Sequence, residues 1–237
     1  MLKVNIKETN LKPNNSLSER NYTDMIVIHH TGSEINGNPY DDDHSAKEID
    51  QWHKNAGWSM IGYHFVIRKN GSIERGRPEW TIGSHAYGEN FHTLGIHLCG
   101  NFNAVKPTDQ QIEMSAMLIA NLCDKYNIPT DKDHIVGHRD LMSTDCPGKN
   151  LYDLLPTIIG KANFYRYTVP DAVIKNIIEI QSDTPISEET LKKIKDILIN
   201  SKCANESLRS LPNFTSYDER HIIKFGEEPI YITTIEI

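Results

Sequence analysis

Short apolar runs alternate with stretches of helical repeat along the first two-thirds of the chain. DMIVIHHTG (24–32) is rich in β-branched residues and predicts a buried strand that ends in two histidines. TLGIHLCGN (93–101) and HIVGH (134–138) predict two more strands. Asn70-Gly71, with β-forming residues on both sides, predicts the turn of a hairpin over 62–77.

Alternation of side chains sorts the residues of these strands onto two faces of a sheet. His29 and His30 are consecutive, so they face opposite sides and cannot both serve one site. In the hairpin, alternation predicts that one face carries Tyr63, Phe65 and Ile67 and the other carries His64, Val66 and Arg68.

Three helices are predicted between and after the strands. Ser45 and Glu48 form a capping-box pair that starts a helix over 46–56, with an apolar face formed by Ala46, Ile49, Trp52 and Ala56. A second pair, Thr108 and Gln111, starts a helix whose buried face is formed by Ile112, Ala116, Ile119 and Cys123. A last short helix is expected near 150–160, with Asn150 as its N-cap.

This order of elements predicts an α/β fold with a central mixed β-sheet flanked by helices on both faces. The pattern changes after about residue 160, where two helical segments surround Pro185 and the tail IKFGEEPIYITTIEI (223–237) alternates like a pair of strands. We therefore predict two domains, 1–162 and a small C-terminal α+β module over 163–237.

Composition and charge indicate which binding partners this protein can have. The chain has 237 residues, of which 38% are hydrophobic and 24% charged, and this is typical of globular proteins. A net charge of −7 without a basic stripe argues against nucleic acid. The N-terminus lacks the features of a secretory signal and no apolar run reaches the length of a membrane span, so we expect synthesis in the cytoplasm without stable membrane association. The four cysteines are too scattered for a disulfide framework.

Three residues with metal-ligand chemistry stand at the ends of predicted strands or just beyond them. They are a histidine of the first strand, His138 at the end of HIVGH, and Cys146 in the loop that follows. Two imidazoles, one thiolate and an open fourth position suit a catalytic zinc ion. Each residue taken singly also has an ordinary structural interpretation, and the spacing alone does not separate the two.

Several motifs together resemble the type 2 N-acetylmuramoyl-L-alanine amidases, a family that includes bacteriophage lysozyme-like amidases and peptidoglycan recognition proteins. The motifs occur in the family's order over about 22–160 and read IVIHHTG, QWHKNAGWSMIGYHFVIRKNGSIERGR, GSHAYGENFHTLGIHLCGNF and VGHRDLMSTDCPG. The resemblance implies one zinc ion per chain, held by His29, His138 and Cys146. It also implies that Tyr63 of GYHF and Thr144 of TDCPG act in catalysis.

The same resemblance assigns a second set of residues to the border of a substrate groove. These are His53, His85, Asn90 and His97. His97 stands where the family frequently carries a catalytic glutamate, so a carboxylate base does not come from this position, and His97 is either a catalytic helper or a buried strand histidine. His30 and His64, which face away from His29 and Tyr63, are expected to be structural, and Trp52 is expected in the core.

The activity that the resemblance implies is zinc-dependent hydrolysis of the amide bond between N-acetylmuramic acid and L-alanine in bacterial peptidoglycan. A phage or prophage endolysin, released through a holin-made hole to degrade the cell wall, is the first interpretation. A peptidoglycan-binding module without activity is the alternative, as is a host autolysin or an exported effector with the same chemistry. The C-terminal module is expected to bind the wall or to form a homo-oligomer.

Overall fold

The computed structural model describes residues 4–35, 37–167, 214–217, 222–225 and 228–231. By its contacts the chain divides into two compact units, Met1–Arg166 and Tyr167–Ile237. Within the described residues, no helix combines the length and the apolar character that crossing a membrane requires.

The first unit is built on a mixed six-stranded sheet. Its strands are β1 (Ile6–Lys7), β2 (Met25–His30), β5 (Phe65–Ile67), β6 (Ile73–Arg75), β7 (Thr93–Leu98) and β8 (Ile135–Gly137), while β3 (Glu34–Ile35) and β4 (Asn38–Pro39) form a separate small hairpin. The order across the sheet is β1-β6-β5-β7-β2-β8, with β5 and β6 antiparallel and every other pair parallel. Because β2, β7 and β8 run parallel, their carboxyl ends lie at the same end of the sheet.

The helices described in this part of the chain are α1 (Ala46–Asn55), α2 (Asp109–Tyr126), α3 (His138–Leu141), α4 (Lys149–Tyr152) and α5 (Leu155–Tyr167), the last of which ends one residue beyond the boundary of the unit. Both predicted capping boxes are present, at Ser45 with Glu48 and at Thr108 with Gln111. One face of the sheet packs on α2 and α5, and the other packs on α1. The predicted mixed sheet with helices on both faces is thus confirmed.

The single helix predicted near 150–160 is wrong in its detail, because two helices occupy this region. Gly148 is the N-cap of α4, and Asn150 lies inside that helix, where its backbone N–H donates to the Phe102 carbonyl at 2.9 Å. Pro156 lacks a backbone N–H and cannot continue α4, but it is tolerated in the first turn of α5. The proline therefore separates the two helices.

The alternation predicted for Tyr63 is also wrong. Phe65 and Ile67 lie in the core beneath α2, but Tyr63 packs with Val66 on the opposite side. The carbonyls of Tyr63 and His64 accept from consecutive amides, Arg77 at 2.8 Å and Gly76 at 2.9 Å. Successive carbonyls of a regular strand point in opposite directions, so the backbone is bulged before β5 and the alternation stops there.

Trp52 corrects a second expectation about the core. Its side chain is 42% exposed and packs edge-on against the His44 ring, with centroids 4.4 Å apart. The buried face of α1 is formed by Ala46, Ile49 and Asp50 instead. Asp50 is buried because its carboxylate accepts from the Ile61 backbone N–H at 2.7 Å and pairs with Lys54 at 2.8 Å.

The second unit contains a three-stranded antiparallel sheet of β9 (Phe214–Tyr217), β10 (Ile222–Phe225) and β11 (Glu228–Tyr231), in the order β11-β10-β9. The strand pair predicted in the tail corresponds to β10 and β11. The helical segments predicted around Pro185 lie outside the described residues. The predicted domain boundary at 162 lies within α5, and the role of residues 163–237 stays a prediction.

Candidate metal centre

Three side chains converge at the carboxyl ends of the two neighbouring strands β2 and β8. The parallel register pairs Val27 with Val136 and Ile28 with Gly137, so His29 and His138 follow side by side. The loop after α3 folds back on that helix, since the Arg139 backbone N–H donates to the Cys146 carbonyl at 2.8 Å. This return brings the Cys146 thiol to the two imidazoles.

The distances between these side chains fit a zinc site. One donor atom from each of His29, His138 and Cys146 lies within 4.8 Å of the other two, and within the described part of the chain this is the only such group of histidine, cysteine or acidic residues. His29 Nδ1 lies 3.6 Å from Cys146 Sγ. Tetrahedral zinc with Zn–S of ~2.3 Å and Zn–N of ~2.0–2.1 Å places two such atoms about 3.6 Å apart. The residues therefore fit the ion that the sequence implies.

Burial sets the protonation of the three donors in the metal-free protein. It lowers the pKa of His29 well below the ordinary value, with further lowering from the neighbouring His85 and His138, and burial also lowers the pKa of His138. Burial raises the pKa of the Cys146 thiol to about 12, although the His30 backbone N–H and the Arg139 charge oppose this. Both histidines are neutral and ready to bind a cation, whereas the thiol must release a proton.

Tyr63 lies beside the three donors. Its ring centroid is 5.0 Å from that of His29 and 4.8 Å from that of His97. Burial raises the pKa of the phenol, and a negative charge on Cys146 raises it further. The hydroxyl therefore keeps its proton and can donate a hydrogen bond.

Thr144 lies in the same loop as Cys146. Its side chain is exposed, and its hydroxyl oxygen accepts from the Cys146 backbone N–H at 3.2 Å. The oxygen is the acceptor in this contact, so the contact does not use the Thr144 hydroxyl proton.

A row of aromatic rings leads from the surface to the centre. Trp58 is 40% exposed and packs on His53 with centroids 4.3 Å apart, and His53 lies 5.6 Å from Tyr63. His53 Nδ1 accepts from the Gly62 backbone N–H at 3.0 Å, which fixes its ring. Burial lowers the pKa of His53 to about 4, so this ring is neutral.

Two more of the residues expected at the groove, His85 and Asn90, lie in one loop. His85 is buried, and its Nδ1 is 3.1 Å from Nε2 of His29. The Asn90 side-chain carbonyl accepts from the backbone N–H groups of His85 and Ala86, at 2.8 and 2.9 Å. His85 thus contacts a predicted metal ligand directly, and Asn90 holds the loop that carries His85.

His97 is buried beside the centre, where the parallel register pairs it with His29. Its Nε2 lies 3.2 Å from the Thr31 hydroxyl, which donates to the Asp42 carboxylate at 2.9 Å. Sequence reasoning did not identify Thr31 and Asp42. Asp42 is the middle residue of an acidic run, 41–43, and no local pattern distinguishes its buried side chain from its neighbours.

His30 and His64 have structural roles, as expected. His30 Nδ1 accepts from the Phe102 backbone N–H at 3.1 Å, and His64 Nδ1 accepts from that of Gly95 at 3.0 Å. Both side chains are buried.

The buried histidines predict a loss of stability in acid. Burial lowers the pKa of both His64 and His97 to about 3, against about 6.5 in an unfolded chain. Above pH 6.5 these two histidines are neutral in both states and do not lower the free energy of unfolding. As the pH falls from 6.5 towards 3, the unfolded chain takes up protons first, so the free energy of unfolding decreases. At pH 5 the expected loss is about 2 kcal/mol for each histidine.

Denaturant unfolding of the metal-free protein at pH 7 and pH 5, followed by tryptophan fluorescence, measures this loss. All three tryptophans lie in the first unit, at positions 52, 58 and 80, so the signal reports on this unit. Equal unfolding free energies at the two pH values would show that these histidines are not held neutral.

The mixed sheet and its two-histidine, one-cysteine centre define an α/β protein with a metal-ligand site at the strand ends. The profile of the family described as N-acetylmuramoyl-L-alanine amidase (Amidase_2) matches residues 19–149, more than half of the chain. The chain therefore belongs to the type 2 N-acetylmuramoyl-L-alanine amidase and peptidoglycan recognition protein family, which confirms the resemblance seen in its motifs.

Similar proteins that support this membership include a phage endolysin, a bacterial amidase and a peptidoglycan recognition protein. The endolysin of Escherichia phage T7 is 31% identical over 138 residues, which is 56% of this chain and 85% of the endolysin. The solved structure of the amidase LysC from Clostridium intestinale is 43% identical, with a TM-score of 0.55 over 62% of this chain and 90% of that one. A point mutant of Drosophila PGRP-LB in complex with tracheal cytotoxin is 27% identical, with a TM-score of 0.54 over 62% and 90% of the two chains.

Proposed function

We propose that this protein is a zinc-dependent peptidoglycan amidase that hydrolyses the bond between N-acetylmuramic acid and L-alanine. The observation that carries the proposal is the His29–Cys146 distance of 3.6 Å, the separation that shared coordination of zinc requires, in a member of the amidase family. Membership of the family supports cleavage of this amide bond, and the geometry of the three donor atoms supports zinc as the bound ion.

His29, His138 and Cys146 would hold the zinc ion. The chemistry that zinc supplies in such a site is Lewis acidity, which polarises an amide carbonyl and lowers the pKa of water to about 7. Two neutral imidazoles and one thiolate leave a net charge of +1 around the ion. That charge would favour binding of the carbonyl oxygen of the substrate.

Tyr63 and Thr144 carry the remaining catalytic roles in this proposal. Tyr63 keeps its proton and lies next to His29, so its hydroxyl donates to the negative charge that develops on the carbonyl oxygen. The departing amine needs a proton, which Tyr63, Thr144 or a water molecule supplies. The Thr144 hydroxyl stays near Cys146 because its oxygen accepts from the backbone there.

Peptidoglycan is the substrate class that the comparisons support, since a related recognition protein has been solved with tracheal cytotoxin, which we take as a peptidoglycan fragment. The exposed ring of Trp58 and the rings of His53 and Tyr63 offer a surface along which such a ligand can lie. His97, held by Thr31, borders the same centre.

An endolysin is the biological role that we propose for this activity, because phage endolysins are among the curated relatives. On this view the protein is made in the cytoplasm, reaches the wall through a holin-made hole or on lysis, and uses residues 163–237 for wall recognition or self-association. This second unit would contribute no metal ligand.

Digestion of purified cell walls tests the bond specificity. We expect new L-alanine amino termini and no new reducing sugar ends, and we expect a chelator to abolish their release and added zinc to restore it. New reducing ends without new amino termini would contradict amide cleavage. Binding to walls without any cleavage would favour a recognition protein without activity.

A further inference from the structure

His85 contacts His29 on the side of the ring that faces away from the thiol. Nε2 of His29 lies 3.1 Å from Nδ1 of His85, while Nδ1 of His29 lies 3.6 Å from Cys146 Sγ. One proton must lie between the two imidazoles for the 3.1 Å contact to be a hydrogen bond. Which ring carries that proton decides which nitrogen of His29 has a free lone pair.

The hydrogen bonds of Thr93 locate the proton. The Thr93 hydroxyl donates its only proton to the Glu89 carbonyl at 2.8 Å. Nε2 of His85 lies 3.5 Å from the same hydroxyl oxygen, so this nitrogen must be the donor. A neutral imidazole carries one N–H, which leaves Nδ1 of His85 as an acceptor.

It follows that His29 donates from Nε2 to His85 and keeps a free lone pair on Nδ1, the atom nearest to Cys146. Each donor in the series His29, His85, Thr93 therefore points away from the centre.

The fold is built around the ring of His85. A Cβ atom added at Gly83 would lie 2.5 Å from this ring, and one added at Gly95 would lie 2.6 Å from it. Two glycines therefore make the space that the imidazole fills, and the Asn90 side chain fixes the backbone of His85 by accepting from its N–H. A side chain at either glycine would displace the ring.

We propose that His85 is a positioning residue of the metal centre, which sets the tautomer and the ring orientation of His29 so that Nδ1 is presented to the ion. The inference rests on the proposed role of His29 as a ligand. Metal-binding histidines generally donate their second N–H to a fixed partner, and loss of that partner costs about 10–100-fold in metal affinity.

Two substitutions distinguish the hydrogen-bond acceptor Nδ1 of His85 from the space that its side chain fills. In His85→Asn, the amide oxygen can take the place of Nδ1 and accept from His29. In His85→Gln, the amide lies at the position of Nε2, so the bond to Thr93 survives and the acceptor is lost. His134→Gln is the matched control, because His134 is hydrogen-bonded to Asp131 outside the centre.

Competition with a chromophoric chelator measures the zinc dissociation constant of each full-length variant. We expect this constant to rise about 10–100-fold in His85→Gln, to rise much less in His85→Asn and to stay unchanged in His134→Gln. Circular dichroism establishes that each variant is folded. Equal constants for folded His85→Gln and His85→Asn would overturn the inference.

Nitrogen-15 NMR of the metal-free full-length protein provides a second readout that needs neither zinc nor substrate. His29 of the wild type should carry its proton on Nε2, and His85→Gln should show a mixture of tautomers. A wild-type proton on Nδ1 would overturn the inference. A protein that has the expected tautomer and the expected zinc constants but leaves muropeptides intact would support it and contradict the proposed amidase function instead.

Discussion

Cys146→Ser should lose most of its zinc and lower amide hydrolysis by ~10³-fold or more. The substitution removes the only anionic donor of the centre and leaves His29 and His138 as two neutral ligands. A hydroxyl is a poor zinc ligand, and the Lewis acidity of the ion is worth several kcal/mol in the transition state. Elemental analysis of the purified protein, compared with about one zinc per chain in the wild type, measures the first effect.

Cys99→Ser is the matched control for this substitution. Cys99 is buried in the core near α1, and its thiol contacts the His44 carbonyl at 3.0 Å. A serine hydroxyl can make the same contact, so this variant should keep its zinc and its activity. Full zinc content and full activity in Cys146→Ser would show that the Cys146 thiol is not a zinc ligand.

Tyr63→Phe should lower the turnover of a soluble muropeptide by about 10²-fold, the usual effect of losing one donor to a developing oxyanion. The ring stays in place because it packs against His29, His53 and His97, so the zinc content should not change. The substitution removes only the hydroxyl, whose proton is retained because burial raises its pKa.

Tyr87→Phe is the control, since the Tyr87 side chain is 87% exposed. Release of L-alanine amino termini per minute, with zinc content determined on the same samples, compares the two variants. Turnover of Tyr63→Phe at the level of Tyr87→Phe would show that the hydroxyl of Tyr63 takes no part in the reaction.

Much of the fold could be predicted because local rules coincide with the tertiary structure. Two capping boxes started α1 and α2 at the right residues, and the apolar runs identified β2, β7 and β8. The convergence of His29, His138 and Cys146 was implied by the motifs; the parallel pairing of β2 with β8 brings the two histidines together, and the loop that folds back on α3 brings Cys146 to them.

The remainder depends on contacts between distant segments, which no local pattern contains. Tyr63 reaches the centre only because the backbone is bulged before β5 and hydrogen-bonds to residues 76–77. The role of His85 depends on a ring contact across 56 positions of sequence, and that of Asp42 depends on a hydroxyl 11 positions away. Alternation and spacing cannot foresee such pairings.

The position of β8 at the edge of the sheet links metal binding to local unfolding. β8 has three residues and pairs with β2 alone among the described strands, so few hydrogen bonds hold it. His138 and Cys146 follow β8, whereas His29 is the penultimate residue of the neighbouring strand β2, so a bound ion would tie the edge strand to the interior of the sheet. Each opening of the edge must then release the ion, which adds about 4 kcal/mol when free metal is 1,000 times its dissociation constant. A bare strand edge invites pairing with other chains, so a zinc ion bound here would also lower the tendency of this edge to aggregate.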